Sequence, residues 1–128
     1  MRILALDAGE ARCGCAVCDP TETVVTPLES VSQPDTKRGL DTLARLVRER
    51  QIEQVVVGLP LTMRGEEGEQ ARWTRRFAER LAARVSVPVV MHDERLTTRQ
   101  AERSGGTAEA DSRAAAHLLE AFLMARAG

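Results

Sequence analysis

The chain has 128 residues and a formal net charge of −1, with 43% hydrophobic and 29% charged residues. That composition suits one globular domain over residues 1–128, able to bury a core without disulfides or a structural metal. It excludes a disordered chain and a strongly basic, nucleic-acid-coating one. No apolar run reaches the roughly 20 residues of a membrane helix. The apolar start, MRILALDAGE, meets Asp7 and Glu10 too early for a signal peptide. The expectation is a cytoplasmic protein with no membrane partner.

Arg2–Asp7 is short, apolar and ends on an acid, which predicts a strand. Ala8–Arg12, with Gly9, predicts a turn, Cys13–Cys18 a second strand, and Asp19–Glu22 another turn. Val24–Val31 predicts a third strand, and Pro27 within it marks an edge or a bulge. Leu40, Leu43, Ala44 and Val47 fall at helical spacing within Thr36–Gln51. The run Val55–Val57 suits a strand buried on both faces. Trp73, Phe77, Ala78 and Leu81 share one side of a helix over Glu67–Arg84. Val87–His92 predicts a further buried strand, Thr98–Ser104 a short helix, and Ala110–Ala125 a last helix. The order βββαβαβαα implies an α/β fold. An antiparallel meander of three strands and two parallel strands would form one mixed sheet, with helices on both faces.

Cys13, Cys15 and Cys18 draw attention as a zinc or redox group. Tetrahedral zinc needs converging ligands, usually in two pairs. On a strand, Cys13 and Cys15 point to one face and Cys18 to the other. They are read as small apolar residues, with a redox or intersubunit thiol as the alternative.

Three acids carry a different chemistry. Asp7 ends the first strand, where it either caps a turn or presents a stiffly held carboxylate. Asp93 and Glu94 follow the last buried strand, at the end where parallel sheets bind ligands. Asp111 shares a stripe with Ala115, Leu118 and Phe122, the face that must pack on the sheet, whereas His117 lies on a flank. Capping and dipole stabilisation would account for Asp93 or Asp111 individually. Gathered at one sheet edge, Asp7, Glu94 and Asp111 would repel one another unless a cation sat between them. Mg²⁺ or Mn²⁺ suits such oxygen ligands, and metal pairs of this kind hydrolyse phosphodiesters.

Four segments in order, LALDAGEARCGCAV, VVVGLPLTMRGEEGEQA, HDERLTT and ADSRAAAHLLEAFL, resemble the YqgF/RuvX family of pre-16S rRNA nucleases and Holliday junction resolvase-like proteins. The resemblance runs from Met1 to about Leu123 and implies a ribonuclease H-like fold. It implies Asp7, Glu94 and Asp111 as catalytic and metal-binding residues with Mg²⁺ or Mn²⁺; Asp93, adjacent to Glu94, is a further candidate ligand. Arg12, Gly14, Arg95 and Thr97 match other motif positions. The implied activity is cleavage of RNA, with maturation of the 5′ end of 16S rRNA, or of branched or single-stranded DNA, by a monomer or a homodimer. The chain departs from the family pattern at Glu10 and Cys13, and its stretch before the last helix is short and lacks basic residues. Arg12, Arg64, Arg72, Arg75, Arg76, Arg95, Thr97 and Arg99 are the candidates for nucleic-acid contacts. Two other classes compete: an ATP-binding fold of the sugar-kinase type, which would need a second lobe, and a non-catalytic nucleic-acid-binding assembly factor.

Overall fold

The computed structural model describes residues 1–94 and 108–127, with side chains from Ala110 in the second segment. The elements are β1 (Ile3–Ala8), β2 (Arg12–Cys18), β3 (Val25–Ser32), α1 (Lys37–Glu49), β4 (Gln54–Pro60), α2 (Glu69–Ala82), β5 (Val89–Glu94) and α3 (Ala108–Ala127). They form one five-stranded sheet in the order β3-β2-β1-β4-β5. The first three strands are antiparallel, and β1, β4 and β5 run parallel. This is the mixed sheet read from the strand pattern, and it fits the ribonuclease H-like fold that the family resemblance implied. The expected short helix over Thr98–Ser104 lies outside the described residues.

Strand alternation divides the core into two layers. Leu4, Leu6, Val55, Val57, Cys13 and Cys15 pack under α1 and α2, with Leu43, Phe77 and Leu81. Ile3, Ala5, Val56 and Cys18 face α3, with Leu118 and Leu119. Each large side chain in these layers contributes about 1.5–3 kcal/mol on burial. All three thiols are free and buried, so the cysteines serve as small apolar residues on two faces of β2.

Pro27 sits on the edge strand β3 opposite Ala16, where its missing N–H interrupts no central ladder. The register between β2 and β3 shifts between Cys13 and Cys15. Thr36 caps α1 by accepting from the Gly39 amide at 3.1 Å. One expectation changes. The strand read as buried over Val87–His92 runs from Val89 to Glu94 at the sheet's other edge and is only half-buried through His92, exposed at Asp93 and buried at Glu94. As the terminal strand it has one unpaired edge open to solvent, which leaves its side chains partly exposed.

Candidate active site

The parallel strands β1, β4 and β5 all end at one edge, and α3 begins over it. Asp7 is next to last in β1, and Ile3, Ala5 and Asp7 alternate onto the face covered by α3. Glu94 is the last residue of β5 and shares that face with His92, whose ring meets Phe122 of α3 edge-on at 5.7 Å. Asp111 lies in the first turn of α3. These three carboxylates are all buried, at 4%, 4% and 8% exposure, which is rare for acids and makes them the site's defining feature.

Two glycines make their approach possible. Asp7 pairs with Gly14 of β2. A Cβ on Gly14 would stand 2.0 Å from the Asp111 carbonyl oxygen, so the missing side chain lets α3 descend beside Asp7. On the other side, the register Leu6↔Val57 puts Gly58 next to Asp7. A Cβ there would lie 2.9 Å from Glu94 Oε2. The strand β4 therefore separates Asp7 from Glu94, and its glycine leaves the gap across which the glutamate reaches. Gly58 was missed in the sequence. A glycine inside an otherwise buried strand was the available signal, because it marks close approach of another group.

Arg12 Nε donates to Asp111 Oδ2 at 2.8 Å. Arg12, a candidate for nucleic-acid contact, thus also orients an acid. Ser112 Oγ donates to the Leu28 carbonyl at 2.6 Å and ties the same turn to β3. Asp111 is not the cap expected for a helix opening near it, because the helix starts three residues earlier, at Ala108. Cys15 and burial hold the Cys13 thiol well above its ordinary pKa, and the charges of Asp7 and Asp111 add to that rise.

The remaining candidates separate. Asp93 is exposed and, one residue before Glu94 on a strand, projects from the opposite face. Its exposure sets it apart from the three buried acids. Arg75 is bound to Glu67 at 2.7 Å and Arg72 donates to the Glu67 carbonyl, so both brace the loop before α2. Arg64, in that loop, and Arg76, on α2, are exposed. Arg95, Thr97 and Arg99 lie outside the described residues. Asp7, Glu94 and Asp111 offer oxygen ligands alone, the donor chemistry of a hard divalent cation. Among the described residues, no three His, Cys, Asp or Glu side chains are already gathered as metal ligands.

Residues 1–125 match the model of the RuvX family, described as Holliday junction resolvase. The chain belongs to the RuvX family. RuvX proteins are phosphodiester hydrolases, so the buried acids lie in a nuclease-family domain. A RuvX relative from Chloroflexus aurantiacus, named as a candidate pre-16S rRNA nuclease, is 44% identical over 97% of this chain and 87% of its own. One from a species of Anaeromyxobacter, with the same name, is 41% identical over 98% of both chains. Thermus thermophilus RuvC, solved with a Holliday junction substrate, superposes with a TM-score of 0.58 over 96% of both chains at 19% identity, which shows the shared fold.

Proposed function

We propose that this RuvX protein is a divalent-metal-dependent nuclease whose site is Asp7, Glu94 and Asp111, and that it trims the 5′ end of pre-16S rRNA in the cytoplasm. The observation that carries this reading is the burial of three carboxylates on one sheet face, where two glycines leave them room. The names of the curated relatives supply the substrate.

The carboxylates of Asp7, Glu94 and Asp111 would hold Mg²⁺ or Mn²⁺, which supplies Lewis-acid stabilisation of charge at the phosphodiester. Asp7 is stiff because β1 is paired on both sides. Glu94 reaches over Gly58 from the edge strand. Arg12 fixes the orientation of Asp111 and offsets part of the negative charge. Apolar packing of α3 on β1 and β2 shields this cluster from water and strengthens its electrostatics.

The test is cleavage of an RNA carrying the 5′ precursor of 16S rRNA, with Mg²⁺ or Mn²⁺, beside Asp7→Asn. The expected loss is roughly 10²-fold or more; undiminished cleavage by the variant would remove Asp7 from the site. A four-way DNA junction belongs in the same assay, since the family's description favours that second reading. Junction resolution would also require a symmetric dimer with two sites.

A further inference from the structure

A groove of about 550 Å³ runs between α1 and the edge strand β3, outside the carboxylate site. Its floor includes Leu28, Val31 and Leu46, and Arg38, Arg45 and Arg50 line it. We infer that this groove carries the phosphate backbone of the substrate strand away from the carboxylates, with Arg38 and Arg45 as its phosphate contacts. The inference rests on the nuclease reading and extends it.

Position is the first argument. Arg12 pairs with Ser32 in the β2–β3 register. Arg12 holds Asp111, and Ser32 lines the groove, so the groove reaches the same end of the sheet as the carboxylates, on the α1 face rather than the α3 face. The Gln33 amide also donates to the Ala11 carbonyl at 2.8 Å, which fixes the approach to α1 beside the β1–β2 turn. The N-terminus of α1, with its partial positive charge, therefore lies at that same end of the sheet.

Charge is the second. The groove lining carries Arg38, Arg45 and Arg50 against Glu29 and Glu49, a net +1 from 3 − 2, in a chain whose net charge is −1. Asp41 is bound by Arg84 at 2.5 Å. Arg38 and Arg45 are exposed and form no ion pair or hydrogen bond through their guanidinium groups among the described residues, although Glu29 and Glu49 share the groove. Their separation of seven residues is about 10 Å along the helix. That spans about three phosphates of a duplex strand at about 3.4 Å each. Guanidinium forks suit phosphate oxygens.

The experiment measures binding, in EDTA, of a fluorescent oligonucleotide duplex and its single strand as salt is raised. Arg38→Ala/Arg45→Ala should weaken binding and flatten the slope of log K against log salt. Two lost phosphate contacts correspond to about 1.8 for duplex and about 1.4 for single strands. Glu49→Gln, which removes a repelling charge from the groove, should tighten binding. Arg48→Ala, on the same helix but outside the groove lining, should change it less. An equal effect from Arg48→Ala, or an unchanged slope in the double variant, overturns the groove assignment. Because binding is read without metal, that result leaves cleavage at Asp7, Glu94 and Asp111 standing. Loss of cleavage in Asp7→Asn with the groove slopes intact separates the two claims. Absence of binding by the parent protein overturns the groove outright. Thermal unfolding of each variant should match the parent, since neither arginine holds a structural partner.

Discussion

The Asp111 carbonyl oxygen lies 2.0 Å from where a Cβ on Gly14 would be. The first turn of α3 therefore rests on the backbone of β2, one strand from Asp7. Both contacting atoms are backbone, so no side-chain rotation can relieve a methyl group there. Gly14→Ala should cost about 1–3 kcal/mol by overpacking. It should also lift Asp111 away from Asp7 and lower cleavage. Urea unfolding measures the first effect and turnover the second; a fully stable, fully active variant would contradict the contact.

Gly58→Ala should behave differently. The atoms a new Cβ would meet belong to the Glu94 side chain, at 2.9–3.2 Å. That side chain can move where a backbone cannot. Stability should fall less than in Gly14→Ala, while cleavage falls because Glu94 is displaced. A variant whose activity follows its stability alone would count against Glu94 as a site residue.

Asp19 provides a pH signature remote from the site. The Thr21 hydroxyl, then the amides of Val24, Thr23 and Thr21, hold its carboxyl well below the usual range. A lowered folded pKa means that the contribution is complete above the unfolded value of about 3.9 and is lost as pH falls through the folded one. Asp19→Ala should therefore melt below the parent at neutral pH, and the gap should narrow as pH drops below about 4. A gap constant from pH 7 to pH 2 would show that the carboxylate's charge plays no part.

The thiols should be inert in the native state. Cys15 and burial push the Cys13 thiol up, and burial does the same for Cys18. Thiolate is the reactive form, so both effects suppress alkylation. Iodoacetamide at pH 8 should label none of the three cysteines in folded protein and all three after denaturation. Rapid labelling of one thiol in folded protein would reopen a redox role.

Much of the fold was legible because hydrophobic spacing is a local property. Leu40, Leu43, Ala44 and Val47 marked α1, and the helix spans Lys37–Glu49. Pro27 marked an edge strand, and β3 is one. The strand β5 misled because an apolar run does not say whether its second face is covered. The acids themselves were legible as candidates, because each ends a strand or extends an apolar stripe. Asp93 and Glu94 could not be told apart from their adjacency alone; strand alternation and burial separate them.

The sequence by itself determined the element types, the alternation that sends Cys13 and Cys15 one way and Cys18 the other, and the family to which the chain belongs. These follow from local periodicity and from residue identity along the chain. Only the tertiary structure decided that Arg12 serves Asp111, that Gly14 and Gly58 flank Asp7, and that Arg38 and Arg45 line one groove between α1 and β3. Those relationships join residues up to 99 positions apart. They arise from strand order and helix packing, which local spacing cannot encode.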